Sequence, residues 1–362
     1  MGVVVDHDSV KGGVAHGRHR SGPGYGARVP ELTTVADDMV VLHDGTTVHR
    51  FDGLAPDSEH RLVGVTVRTL PRPAGQLLAR FVTVNDVHFG EQECGVLDGF
   101  PDGEPILRRP DGTVPHPELM NRAAVAEMVA LDPDAVLVKG DLTLDGAEHE
   151  YAAFLACYGV FGDRLHHVRG NHDRYHHQTY AAGDAVIDLP GVRIALMDTT
   201  IAGGTTGALE PAQLEWLDTV AAEADRPVLA MGHHQDWTPA NRRNPDYFGI
   251  NPDDSEALHA VMARRGIRGW FAGHTHRNRV RTTPASGGAV HVEVGTVKDF
   301  PGSYAEYRVY ETGIVQVHHR VSSPEALEWS EQCRGLYRSS GLDYVSYALG
   351  RLEDRCFVIS TR

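Results

Sequence analysis

The sequence predicts an α/β protein in which two sheets pack together with helices outside them. Three observations carry this reading. From about residue 80 to residue 276, short apolar runs that read as buried strands alternate with segments of helical periodicity. Beyond that stretch the pattern turns to β hairpins. Several of the buried strands also run straight into loops that carry Asp, Asn or His, which is where α/β folds place their ligands.

Residues 1–30 mix Gly-Gly, His-Gly-Arg-His-Arg and Ser-Gly-Pro-Gly-Tyr-Gly with little apolar periodicity, so this segment is expected to be flexible. Residues 31–75 read as a small β-rich appendage and linker. Its apolar runs are Met39–Leu42 and Leu62–Val67, its turns Asp44-Gly45 and Pro56-Asp57, and its linker Pro71–Gly75. Gly53–His60 weakly resembles the corner of a fibronectin type III module, with His60 in the place of the tyrosine.

The main domain is expected over 76–321. Phe81–Val84 is a strand that ends at Asp86 and His88, two residues that face one side if the chain stays extended. Glu91–Val114 has repeated Asp-Gly and Pro signals and is expected to form a long loop over the site. A helix should begin near Pro117, with Val125, Met128 and Val129 at helical spacing. Ala135–Val138 is the next strand and delivers Asp141. Tyr151, Phe154, Leu155 and Tyr158 mark an amphipathic helix whose aromatic stripe reads as core packing. Val168 leads into Gly170-Asn171-His172-Asp173. Val192–Met197 is a strand and Pro211 opens a helix. Val228–Met231 leads to His233, Ser255 is expected to cap a helix bearing Leu258, Val261 and Met262, and Ile267–Ala272 leads to His274 and His276. The hairpin strands are Val290–Val292, Tyr307–Tyr310 and Ile314–Val317. Residues 322–362 begin with a short helix at Glu325–Glu328 and end in the apolar run Cys356–Ile359; a wrap-around tail, a lid and a homo-oligomer contact are the roles open to them.

The balance of 34 basic against 49 acidic residues gives a formal charge of −15, which repels polyanions, so nucleic acid is not an expected partner. Four scattered cysteines make no C-x-x-C pair and argue against a disulfide scaffold or a zinc ribbon. No stretch approaches the roughly 20 apolar residues of a spanning helix, and no apolar leader is evident, so a cytoplasmic location without membrane contact is expected. Of the 22 histidines, His16, His19, His176, His177, His318 and His319 are expected on the solvated surface.

Each polar stretch is ordinary in isolation, since an Asp-x-His is usually a turn. Together, Asp86-Val87-His88, Gly140-Asp141, Gly170-Asn171-His172-Asp173, Gly232-His233-His234 and Gly273-His274-Thr275-His276 place clustered carboxylates and imidazoles after separate buried strands. Such a cluster would cost stability without cations to bind.

In that order and spacing the five stretches resemble the signature of the calcineurin-like metallophosphoesterases. Histidine before aspartate in the third block looks most like the class III cyclic-nucleotide phosphodiesterases. The resemblance implies a four-layer α/β/β/α metallophosphoesterase sandwich with the small N-terminal β appendage. It also implies two metal ions of divalent or Fe/Mn/Zn type: Asp86, His88 and His276 for the first, Asn171, His233 and His274 for the second, and Asp141 bridging them. The oxygen and nitrogen donors suit manganese, iron or zinc without choosing among them. Two dications held by two aspartates and a bridging hydroxide keep about +1, which draws an anionic ester. That hydroxide is the expected nucleophile, His172 the residue assisting the leaving group, and Asp173 the residue orienting His172.

The function this implies is a phosphodiesterase acting on a small phosphate ester, 3′,5′-cyclic nucleotides such as cyclic AMP first. A broader phosphoesterase acting on glycerophosphodiesters, nucleotides or phosphomonoesters is the alternative, and a non-catalytic scaffold a more distant one. Asn85, Lys139 and Arg169 depart from the residues common at their places and leave pocket specificity open.

Overall fold

The computed structural model describes residues 30–96, 105–238 and 248–361. The 1–30 segment, apart from Pro30, and the middle of the 91–114 loop lie outside the described residues, as do His16 and His19.

The described residues open with β1 (Glu31–Val35), β2 (Met39–Asp44) and β3 (Thr47–Asp52), an antiparallel sheet in that order, followed by the hairpin β4 (Glu59–Leu62) and β5 (Val65–Arg68). The sheet lays Ala36, Met39 and Val41 against Tyr310, Val315 and Val317 of the main domain. In β4, His60 Nε2 stands 3.2 Å from the carbonyl oxygen of Ala55 in the preceding loop.

Next come β6 (Leu77–Val84), α1 (His116–Leu131), β7 (Ala135–Lys139), α2 (Glu148–Tyr158) and β8 (Leu165–Val168). They are followed by β9 (Ala185–Leu189), β10 (Val192–Leu196), α3 (Pro211–Ala222), β11 (Val228–Met231), α4 (Pro252–Arg265) and β12 (Gly269–Ala272). The chain continues through β13 (Arg279–Thr282), β14 (Val290–Glu293), β15 (Ser303–Tyr310), β16 (Gly313–Arg320), α5 (Pro324–Gln332), α6 (Tyr344–Leu349) and β17 (Phe357–Ser360). Two six-stranded sheets result, ordered β13-β14-β12-β11-β10-β9 and β17-β16-β15-β6-β7-β8.

Strand alternation builds the layers. On β7, Ala135 and Leu137 face the other sheet, while Val136 and Val138 face the helical layer of α1, α2 and the C-terminal segment. On β11, Leu229 and Met231 turn inward, and Val228 and Ala230 turn toward α3 and α4. Both faces of these strands are therefore buried, which is why they read as unbroken apolar runs. Phe81 and Tyr307 stack at 4.5 Å between the sheets. The outcome is the four-layer α/β/β/α arrangement.

Several sequence expectations are corrected. Helix α4 starts at Pro252 with Asn251 as its cap, the Asn251 side chain accepting from the Asp254 amide at 3.0 Å. Ser255 sits inside the first turn and donates to the Ile250 carbonyl oxygen instead. His318 and His319 are buried in β16, held by Ser303 Oγ at 2.9 Å and by Glu306 at 2.9 Å, whereas His176 and His177 are exposed. Leu155 is exposed on α2, whose aromatic residues Phe154 and Tyr158 do pack in the core. Strands β9 and β13 had no counterpart in the sequence reading. The C-terminal segment places Trp329, Leu336, Tyr344 and Leu349 in the main core, and β17 joins the edge of the second sheet. Among the described residues no helix is long and apolar enough to cross a membrane.

Strands β6, β7 and β8 run parallel, as do β10, β11 and β12. Their C-terminal ends share one rim, and that rim carries all five motifs.

Candidate metal centre

The site residues lie just past the strands. Strand β6 ends at Val84, and Asp86 and His88 then adopt left-handed backbone, with φ of 53° and 48°. Their side chains converge for that reason, and the extended-chain expectation is corrected. Asp141, His274 and His276 are also left-handed, at φ of 51°, 67° and 55°. Such backbone costs an L-residue about 1–2 kcal/mol and persists where surrounding structure enforces it, typically at functional sites.

Backbone hydrogen bonds enforce it here. The Asp86 amide donates to Gly140 O at 3.1 Å, the His88 amide to Asp141 O at 3.0 Å, and the Gly273 amide to His233 O at 2.9 Å. The motif glycines permit this crowding. A Cβ on Gly140 would meet His233 Nδ1 at 2.5 Å, and one on Gly170 would lie 2.1 Å from Asp141 Oδ1.

The expected ligands come together. His233 Nε2 lies 3.2 Å from Asn171 Oδ1, 3.2 Å from His274 Nδ1 and 3.2 Å from Asp141 Oδ2. On the other side, Asp141 Oδ2 is 3.5 Å from His88 Nε2, and His276 Nε2 is 3.5 Å from Asp86 Oδ1. Asp141 thus stands between two half-sites, Asp86/His88/His276 and Asn171/His233/His274. Outward-facing nitrogens fix two imidazoles: His233 Nδ1 pairs with Lys139 O at 2.8 Å and His274 Nε2 with Phe248 O at 3.1 Å. Each carbonyl selects the tautomer whose lone pair points inward, the outer-shell arrangement of a metal-ligating histidine.

The electrostatics ask for positive charge. Burial opposes ionisation of Asp86, yet His276 outweighs it and holds the carboxyl below its usual range. At Asp141 burial is likewise overcome, by His233 and His172. Burial would lower His233, but Asp141 carries it up to about 9. Burial pushes His88 down to about 4 and His274 down to about 3, leaving both as neutral lone-pair donors.

His172 faces this centre. Its amide donates to Asp141 Oδ1 at 3.0 Å, and its ring lies 4.6 Å from that of His88. The expected role of Asp173 is corrected. The Asp173 carboxylate is filled by the Gly170, Leu142 and Thr143 amides and by Thr143 Oγ1, at 2.7–3.0 Å, and it turns away from the imidazole. The Leu144 carbonyl oxygen, 2.6 Å from His172 Nδ1, orients the ring instead.

The three departures from the common pattern act as braces beneath the rim. Lys139 Nζ donates to Ala272 O at 2.6 Å, Asn85 donates to Asp86 and to Val294 O, and Arg169 grips Asp198 and Gln178 O. His234 is buried with Nδ1 2.7 Å from Thr199 Oγ1, and its ring clusters with those of His233 and His274, with Nε2 lacking a hydrogen-bond partner among the described residues. Sequence reasoning missed Glu91, whose carboxylate comes within 3.4 Å of His88 Nδ1. The i,i+3 spacing from His88 was the available signal.

The residues fit two metal ions. Donor atoms of Asp86, His88 and His276 lie within 4.8 Å of one another, as do those of His233, His234 and His274 and those of His88, Asp141 and His172, and both ring nitrogens of buried His88 lack a hydrogen-bond partner among the described residues. A layered sandwich with such a two-part donor ring on its strand ends defines the metallophosphoesterase class. The chain belongs to the calcineurin-like phosphoesterase family, which matches residues 79–278.

The chain is 31% identical over 137 residues to the 3′,5′-cyclic adenosine monophosphate phosphodiesterase of Pseudomonas aeruginosa, covering 33% of this chain and 50% of that enzyme. It is 24% identical over 235 residues to a glycerophosphodiester phosphodiesterase of Enterobacter lignolyticus, covering 59% of this chain and 75% of that enzyme. The chain spans 49% to 64% of the length of the curated cyclic nucleotide phosphodiesterases it matches. A dimetal phosphatase from Danio rerio shares the fold, with a TM-score of 0.53 at 16% identity, over 68% of this chain and 97% of that one.

Proposed function

We propose that the chain is a metal-dependent phosphodiesterase whose substrates are 3′,5′-cyclic nucleotides, cyclic AMP foremost. The observation that carries this is the position of Asp141 Oδ2, 3.2 Å from His233 Nε2 and 3.5 Å from His88 Nε2, joining the two half-sites through one carboxylate. When bound, two divalent metals supply Lewis acidity and an activated water for in-line displacement at phosphorus. Asp86, His88 and His276 would hold one ion and Asn171, His233 and His274 the other, with Asp141 between them.

The chain's own contribution to the chemistry is proton transfer at the leaving oxygen. With Nδ1–H spent on Leu144 O, a protonated His172 has Nε2–H left to give. A ribose 3′-oxygen is a poor leaving group and requires that proton. Asp173 supports this by tying the Gly170–Asp173 loop to the Gly140–Asp141 loop. Relatives named for cyclic nucleotides support the substrate class, and the net charge of −15 speaks against nucleic acid as a substrate. A cyclic nucleotide is a solute of the cytoplasm, the compartment this reading assigns.

The match of greater length to a glycerophosphodiester phosphodiesterase favours a second reading, a phosphoesterase of broader range. The test is turnover by metal-loaded protein of cyclic AMP, cyclic GMP, glycerophosphodiesters and phosphomonoesters side by side. Preferential hydrolysis of a cyclic nucleotide supports the proposal. Cyclic nucleotides left intact while another ester turns over reject it in favour of the second reading, and no hydrolysis of any ester rejects both.

A further inference from the structure

We propose that Glu91 is a positioning residue for His88, fixing its tautomer and so controlling the half-site formed by Asp86, His88 and His276. The inference rests on the two-metal reading above.

The backbone sets up the contact. The Glu91 amide donates to His88 O at 3.1 Å, closing a turn that folds the Glu91 carboxylate back over the imidazole three residues earlier. Its two oxygens then face different partners. Oε2 lies 3.4 Å from His88 Nδ1, while Oε1 accepts from Lys298 Nζ at 2.8 Å and has His116 Nε2 at 3.4 Å. Lys298 is itself buried and also reaches Asp299 at 3.2 Å. An ammonium has donors only, so the carboxylate it holds is kept as an acceptor.

His88 needs such an acceptor. It is buried, and a neutral imidazole has one N–H to place. Nε2 points toward Asp141, and for that nitrogen to offer a lone pair the proton must sit on Nδ1, where Glu91 is the carboxylate in reach. His233 and His274 solve the same problem with the backbone carbonyls of Lys139 and Phe248. For His88 the Glu91 carboxylate, 3.4 Å from Nδ1 in an ion-pair contact rather than a formed hydrogen bond, is the group placed to do so, and a charged acceptor also raises the basicity of the ligand. The bland alternative is that Glu91 serves only as the buried counter-ion of Lys298.

The experiment is a Mn²⁺ titration of metal-stripped full-length protein, read by electron paramagnetic resonance and by bound-metal analysis. It compares wild type, Glu91→Gln and Glu91→Asp, and records the unfolding temperature of each stripped protein. Wild type should take two ions per chain. Glu91→Gln should keep one site unchanged and weaken the other by about 10–100-fold, the range for lost outer-shell partners of metal ligands, with Glu91→Asp between. Two sites of wild-type affinity in Glu91→Gln overturn the proposal, as does a variant whose only change is a lower unfolding temperature. If Glu91→Gln does not fold, Glu91→Asp decides by the same criterion. Wild type that binds no metal overturns the two-metal reading itself, a separate result from a two-site wild type matched by its variant.

Discussion

The Nδ1 of His172 lies 2.6 Å from the carbonyl oxygen of Leu144. This one contact decides how the imidazole is held and which nitrogen it offers to a substrate. Replacing His172 by alanine should cut turnover of cyclic AMP by about 10²–10⁴, the usual contribution of a positioned acid. Turnover of a bis-nitrophenyl phosphate, whose leaving group needs no proton, should fall far less. Steady-state rates on the two substrates check this, and equal losses remove His172 as the acid.

Asp173 makes a different prediction. Its carboxylate accepts from the Gly170 amide at 2.8 Å, the Leu142 amide at 3.0 Å, and the Thr143 amide and hydroxyl at 2.9 and 2.7 Å. Asp173→Ala strands these donors in a buried place and should cost about 3 kcal/mol or more in stability, read from urea unfolding. Were orientation of His172 its role, stability would hold and the pH–rate profile would shift instead.

Bound metal should stabilise the fold. Each ion present at a hundredfold excess over its dissociation constant adds about 2.7 kcal/mol. Stripping with a chelator should lower the unfolding midpoint, and Mn²⁺ or Zn²⁺ should restore it. A midpoint indifferent to chelator and to added metal contradicts the ligand assignment.

In β2, burial, with Arg320 adding to it, pushes the His43 imidazole down to about 3. Its Nδ1 lies 2.8 Å from Thr33 Oγ1 and its Nε2 3.1 Å from Ser322 Oγ. Below its unfolded value of about 6.5 the unfolded chain takes up a proton that the folded chain refuses. The stability contributed by neutral His43 is therefore complete above that pH and is lost as pH falls toward 3; at pH 5 the loss is about 2 kcal/mol. His43→Gln should shrink the stability difference between pH 7.5 and pH 5 by about that amount. An unchanged difference counts against it.

Much of this was legible from residue pattern alone. Runs such as Ala135–Val138 and Val228–Met231 are apolar on both faces because both faces are covered, and each announces the motif that follows. The crowding at Gly140 and Gly170, where a Cβ would meet His233 and Asp141, was not read from the motifs, because it comes from loops remote in sequence. Strands β9 and β13 were invisible because they are short edge strands, AVIDL and RVRT, whose extended form depends on neighbours. The burial of His318 and His319 depends on Ser303 and Glu306 across the sheet, partners that no local pattern reveals. Asp173 misled by adjacency: the turn at 172–174 sends neighbouring side chains in different directions. The left-handed backbone of Asp86 and Asp141 is imposed by contacts between loops remote in sequence.

Asp86, His88, Asp141, Asn171, His233, His274 and His276 are proposed together to enclose two metal ions. The most direct measurement is anomalous diffraction from crystals of protein grown with Mn²⁺, collected on either side of the manganese edge. Two anomalous peaks are expected within that ring of side chains, one on each side of the Asp141 carboxylate. A single peak, or peaks only outside the ring, would contradict the two-metal proposal.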